Sequence, residues 1–489
     1  MFMKKIKYIV IASFITTGLL TTSSCKKYFD INVSPNSPLS APIEQQLSSL
    51  TVNTGFYAGS DMNRISSIIM QQWSGQSSGT QNLTQLYEKY LIQGSDENNA
   101  WSAMYATILN DAENIIQVAG QTGSPHYSGV AKILKAYGYQ ITVDAFGDIP
   151  FSETQQITLN TQPKYDSAEQ IYPALIKLLD EGIAEVNAAT SSKSPGLNST
   201  IYPNASFATA KLNWIKFANT LKLRMFLHYS EKDPAFAKAQ IDQLINSGAT
   251  FIAANADNFQ MAFQNLAAAK NPIDQYETAR AGYLVANDRL VTIMNTNVDP
   301  RRQFYFTQFP AGSGLYKGSI GGAPASQDYS KIHTYLRGGA GTTYTGDAPI
   351  RMLTFAEYNF IRAEAALRFA SPGVAQDFYV AGITASMNSA GVAAGDIATY
   401  ILAHGTLLGT PAQQLQQIIT EKYVANYGVI SEPWTDWRRT GYPAITIPTN
   451  AVVQFVPRSL YYAQSEIDLN PNAKQKTGLD VRIFWDTRQ

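Results

Sequence analysis

The chain has 489 residues, and its 37 lysines and arginines balance 37 aspartates and glutamates, leaving a net charge of zero. Binding nucleic acid through phosphates needs a basic face, so this balance argues against such a partner. Charged residues are 15% of the chain whereas Tyr alone numbers 28, a polar but weakly charged composition that suits neutral ligands outside the cytoplasm.

Lys4, Lys5 and Lys7 make a positive start to an apolar stretch, 6–20, broken only by Lys7 and small polar residues, and small residues and then Cys25, the single cysteine, follow. This reads as a signal peptide over 1–24, with Cys25 becoming a lipidated N-terminus. A strong lipidation site has Leu three residues before the Cys, and here that residue is Thr22. A plain secretory signal cleaved near Ser24 and a short membrane anchor are the alternatives. The apolar run of about 15 residues falls short of the roughly 20 that span a bilayer. With one Cys, no intrachain disulfide can form.

Residues 25–40 read as the lipidated end and a tether, in which Pro35 and Pro38 disfavour helix. The remaining 41–489 read as a single domain. Apolar residues at helical spacing predict helices over 43–59, 61–73, 101–118 and 130–143. After the turn D-A-F-G-D-I-P at Asp144, Ser167 opens another helix, 208–229 forms a strong one, and Pro234 starts the next. The helices come in pairs of roughly 30 to 40 residues, with small residues where they cross, as in tetratricopeptide-like stacking. The pattern changes over 255–350, which is rich in Gly, Tyr, Asn, Thr and Pro, with a strand-like segment at 303–309. A loop-rich insertion this long inside a helical scaffold (mainly 41–254 and 351–430) is usually functional. Helices resume over 354–369, 375–389 and 411–427.

Residues with catalytic potential are few. The four histidines are scattered without metal-ligand spacing, and there is no nucleophile elbow or phosphate loop. Asp144, Asp148 and Glu153 form an acidic cluster that reads better as caps on a turn between helices than as an acid/base pair. Asp436, Arg438 and Arg439 beside two Trp read as an ion-pair brace at the core edge. The chain thus reads as a binding protein with no cofactor or metal; an envelope hydrolase using Asp144 and Asp148 is a remote alternative.

The motifs are specific when taken in order. C-K-K-Y-F-D-I-N-V-S-P-N-S-P at Cys25 is followed by D-A-F-G-D-I-P-F-S-E at Asp144 and W-I-K-F-A-N-T-L-K-L-R-M at Trp214. M-L-T-F-A-E-Y-N-F-I-R-A-E-A follows at Met352, I-I-T-E-K-Y-V-A at Ile418, W-T-D-W-R-R-T-G-Y-P at Trp434 and F-W-D-T at Phe484. This series resembles the SusD/RagB family of outer-membrane nutrient-binding lipoproteins, in the branch with an N-terminal D-I-N-x-x-P-N-x-P. The resemblance implies a mainly α fold, a right-handed superhelix of tetratricopeptide-like helix pairs with a loop-rich, irregular ligand-binding face. It also implies a surface-exposed lipoprotein of a Gram-negative outer membrane that delivers oligosaccharides, or peptides in some members, to a SusC-like TonB-dependent barrel transporter.

Sugar rings present apolar C–H faces that aromatic rings stack on, while amides, carboxylates and guanidinium groups take the hydroxyls. Trp73, at a Gly/Ser-rich turn, and Tyr316, Tyr329, Tyr335, Arg337 and Tyr344, in the insertion, are therefore the predicted ligand contacts, with Tyr283 and Tyr87 as weaker candidates. Each ring could instead pack a loop onto the scaffold. Intact-mass measurement of membrane-extracted protein is expected to show an acylated chain beginning at Cys25; an unmodified chain starting elsewhere would remove the lipid anchor.

Overall fold

The computed structural model describes residues 41–77, 79, 81–154 and 160–488, so the signal segment, Cys25 and the tether lie outside the described residues. Helices α1 (Ile43–Gly59) and α2 (Asp61–Ile69) come first. The second predicted helix stops four residues early, because Gln71 takes a left-handed φ of 56°. An L residue there cannot continue a right-handed helix, and the chain turns into strand β1 (Trp73–Gly75). Helix α3 (Leu83–Glu88) opens with a capping box between Asn82 and Gln85.

A longer rod follows, made of α4 (Asn98–Ser102), a π-helical stretch (Ala103–Ile108) and α5 (Leu109–Thr122). Next are α6 (Pro125–Phe146), the two-residue strands β2 (Ile149–Pro150) and β3 (Tyr165–Asp166), and helices α7 (Ala168–Val186), α8 (Phe207–His228) and α9 (Pro234–Asn246). Within the insertion lie β4 (Phe259–Met261), α10 (Pro272–Ala279), β5 (Leu284–Ala286), α11 (Asp288–Thr296), α12 (Arg302–Tyr305), α13 (Thr334–Arg337) and β6 (Ile350–Leu353). The predicted strand at 303–309 is instead α12 followed by a single bridge, Phe306 to Ile332. The C-terminal part holds α14 (Phe355–Phe369), α15 (Ala375–Ala390), α16 (Ala394–His404), α17 (Pro411–Ala425), α18 (Glu432–Thr440) and α19 (Gln464–Leu469).

The mainly helical, tetratricopeptide-like reading holds. Helices α5 to α9 pack each on the next, and α14 packs on α15 and α17. At the α6–α7 crossing two glycines meet: a Cβ on Gly129 would lie 2.7 Å from the Gly182 carbonyl oxygen. Any larger residue at either position would push the helices apart.

The interior is unusually charged. Arg224 on α8 donates from Nε and Nη2 to Glu357 on α14, at 2.8 Å each. Lys422 on α17 reaches Glu432 at 2.9 Å and Asp436 at 2.8 Å, both on α18. Arg439 grips Glu364 at 2.8 Å and Asp436 at 2.6 Å. All of these side chains are buried. Burial pushes the Glu364 carboxyl up, but Arg439 more than reverses this and holds it at about 2. Asp436, Arg438 and Arg439 are therefore a brace at the centre of the core rather than at its edge. Arg438 lies over the rings of Trp434 (3.9 Å) and Trp485 (4.7 Å) and donates to the Asp144 carbonyl at 2.7 Å.

The acidic cluster at the turn after α6 divides. Asp148 accepts the Ala168 amide at 2.8 Å and so caps α7, and Glu153 accepts the Lys164 amide at 3.1 Å. Asp144 caps nothing. It is fully buried and accepts from the Tyr172 hydroxyl, the Gln140 amide and the Trp485 indole N–H. A carboxylate sealed in this way cannot meet a substrate, which removes the hydrolase alternative.

Arg439→Met should cost about 3–5 kcal/mol, because it strands two buried carboxylates, as read by urea unfolding at pH 7. The folded pKa of Glu364 lies below its ordinary value of 4.5. Its contribution is therefore present above pH 4.5 and fades as the pH falls towards 2. The gap between wild type and variant should accordingly narrow at pH 3, and an equal gap at both pH values would contradict this role for the pair.

Candidate functional site

One ribbon brackets the loop-rich insertion. β4 enters it, β6 leaves it, and the two pair antiparallel, with Phe259 opposite Leu353 and Met261 opposite Ile350. A second antiparallel ribbon, β1 with β5, ties the insertion to the first helices, setting Trp73 opposite Ala286 and Gly75 opposite Leu284. Buried polar groups extend this tie. Ser74 Oγ donates to Glu88 at 2.6 Å, Asn287 donates to Ser74 Oγ at 2.9 Å, and Gln76 donates to Ser319 Oγ at 2.9 Å. The Ser326 amide returns to Gln76 at 3.0 Å. Burial pushes Glu88 up to about 7, against the pull of the Ser74 hydroxyl and the Gly322 amide. Loop 319–326 is thus pinned from below, not draped over the surface.

The predicted contacts separate on this frame. Tyr316 is half-buried and borders a cleft of about 230 Å³ whose walls include Gln303, Thr307, Gln308 and His333. Arg302 approaches the Tyr316 ring at 5.4 Å. His333 Nδ1 lies 2.9 Å from the Tyr344 hydroxyl, and Arg337 stacks on the Tyr344 ring at 3.8 Å while donating to Asp274 at 2.8 Å. Burial, with help from the Arg337 charge, lowers the His333 pKa. The imidazole is therefore neutral at pH 7, with one donor and one acceptor nitrogen. Tyr316, Arg337 and Tyr344 gather around His333, whereas Tyr329 sits beside Lys317, 5.1 Å from its ring centroid.

Trp73 and Tyr335 are corrections. Trp73 is 2% exposed and meets Tyr427 edge-on at 6.4 Å, because the early end of α2 turns its ring inward along β1. Tyr335 is 6% exposed, packed between Tyr305 at 4.6 Å and the Arg351 guanidinium at 3.8 Å. Neither offers a ring face to a ligand. Among the weaker candidates, Tyr87 is buried, with its hydroxyl on Asp96 at 3.2 Å, and Tyr283 is half-buried.

A larger cleft, about 440 Å³, escaped sequence reasoning. It opens between α1, α2 and α4 on one side and α10 on the other, with Phe56, Asn53, Tyr276, Arg64 and Arg280 among its walls. Its residues lie far apart in sequence and within helices, so no local pattern of loop aromatics marks it. The one available signal was Asn271-Pro272, which caps and opens α10, with the Asn271 side chain accepting the Asp274 amide at 2.9 Å. Both clefts combine aromatic surface with amide side chains, and the larger one adds guanidinium groups, the chemistry that grips a polyhydroxylated ring. Among the described residues no group of His, Cys, Asp and Glu is arranged for a metal ion, and no helix is long and apolar enough to cross a membrane.

Comparison with known proteins agrees with this architecture. A SusD-like family model, described as starch-binding and associating with outer membrane, matches residues 30–462. A solved chitin-binding protein is 25% identical, with a TM-score of 0.76 over 91% of this chain and 100% of its own. A chitin-binding SusD homolog from Flavobacterium johnsoniae is 22% identical, with a TM-score of 0.77 over 91% of this chain and 99% of its own. A SusD-like protein from Bacteroides thetaiotaomicron is 21% identical, with a TM-score of 0.76 over 92% and 99%. No curated protein matches. With a family match spanning most of its length and a helical scaffold of the same fold, the chain belongs to the SusD-like family of outer-membrane-associated binding proteins rather than enzymes.

Proposed function

We propose that this protein captures oligosaccharides at the cell surface and passes them to a SusC-like TonB-dependent barrel transporter, held to the outer membrane by a lipid on Cys25. The observation that carries the ligand class is the cleft at Tyr316, where a half-buried ring adjoins amide side chains and a neutral His333. Such a surface gives a sugar ring a face to stack on and partners for its hydroxyls without a strong charge of its own. Two similar structures named as chitin-binding and a family described as starch-binding support the same class of ligand. The zero net charge and polar composition of the chain agree with it. Delivery to a barrel rests on family membership, and the lipid on the signal-like N-terminus with its lone cysteine.

A glycan array followed by calorimetry tests the ligand. Binding to at least one oligosaccharide is expected, with Tyr316→Ala weakening it about tenfold through lost stacking. Trp73→Ala should act differently, lowering stability by about 3–5 kcal/mol as a core truncation. Binding confined to peptides would replace the sugar assignment. Affinity capture from solubilised outer membranes should recover a barrel transporter, and its absence under conditions that preserve other envelope complexes would count against the delivery role.

A further inference from the structure

The larger cleft differs from the Tyr316 cleft in its charge. Arg64 lies over Tyr276 at 3.7 Å and Arg280 approaches the same ring at 5.1 Å. A guanidinium that gives its face to an aromatic ring keeps its N–H donors in plane and available to an oxygen acceptor. Arg64 is already matched: Asp61 meets it at 2.6 Å, and the second oxygen of Asp61 accepts from Asn99 at 3.2 Å. Arg280 is exposed and makes no ion pair within 4.0 Å among the described residues. Asp61, the acid on the cleft wall, is already engaged by Arg64 and Asn99. Arg280 is thus a cation at the edge of a cavity large enough for a sugar ring, with no carboxylate within ion-pair distance among the described residues.

The rest of the wall fits a pyranose. Phe56 supplies apolar surface, and the Asn53 and Gln275 amides, whose N–H groups donate to Ser49 and Lys270, turn oxygens to a sugar's hydroxyls as acceptors. We propose that this cleft binds a uronate, a sugar unit whose ring carries a carboxylate, with the carboxylate seated on Arg280 and the ring between Phe56 and α10. A planar guanidinium takes a carboxylate through two parallel N–H donors, and a carboxylate borne directly on the ring keeps that pair close to the cleft wall. The inference rests on the glycan reading above and narrows it.

The test compares tetrasaccharides of polygalacturonate, mannuronate-rich alginate and β-glucuronan with their methyl esters, which keep the ring and remove the charge. By calorimetry, at least one acid form should bind about tenfold tighter than its ester, as expected for a charged hydrogen-bonded contact. That advantage should shrink as salt is raised. In Arg280→Gln, with an unchanged thermal melt showing intact folding, the ratio should fall to within about threefold. Equal binding of acid and ester forms, binding of neither, or an acid preference untouched by Arg280→Gln would each overturn the uronate assignment. Binding of neutral oligosaccharides in the same experiment would then leave the glycan reading standing, whereas binding of peptides alone would remove both.

Discussion

The fold is organised around charges that have no access to water. Arg224, Lys422 and Arg439 come from α8, α17 and α18, and their acids come from α14 and α18. Removing an ion from water costs several kcal/mol, so each of these groups is tolerable only with its partner in place. Helices α8, α14, α17 and α18 must therefore settle into one mutual register, since a slip by a single turn would leave unpaired charges inside. Such networks fix geometry more than they add stability, because well-packed apolar residues of similar volume often do as well energetically. Here the geometry matters, since α14 follows directly from the ribbon that closes the binding insertion.

That arrangement explains how an irregular face is held by a regular body. The ribbons β4–β6 and β1–β5 anchor the insertion at its root and against the first helices, and Ser74, Gln76 and Glu88 continue the anchorage into loop 319–326. One cleft lies within the insertion and the other between it and α1, α2 and α4.

The helical scaffold was largely legible in the sequence, since α1, α6, α8, α14, α15 and α17 announce themselves by apolar spacing, α7 by Ser167 just before it and α9 by Pro234 in its first turn. The family motifs were legible as scaffold, but not what unites them: Asp144, Arg224, the pair Glu357 and Glu364, Lys422 and Arg439 come from five motifs that meet only in space. The ligand face was less readable. Trp73 looked like a loop aromatic because the helical pattern ends on it at a Gly/Ser-rich stretch, and only the left-handed turn at Gln71 reveals that its ring points inward. Tyr335 shares the loop composition of Tyr316 but lands in an aromatic stack. Composition distinguishes loop from helix; it does not say which side of a loop faces solvent. The cleft at Tyr276 and Arg280 was invisible for a related reason, being assembled from helices about 170 residues or more apart in the chain.

The β4–β6 ribbon also bears on how such a protein diversifies. It brings the two ends of the insertion onto neighbouring strands, with Phe259 facing Leu353. Whatever lies between those ends departs from and returns to the same point of the scaffold. Insertions of different length or composition can then be exchanged at this junction without moving α8 or α14, because loop length changes closure entropy only slowly. The charged interior keeps the body constant while the ligand-facing segment is free to drift, and the junction marks the place to graft one member's binding face onto another's scaffold.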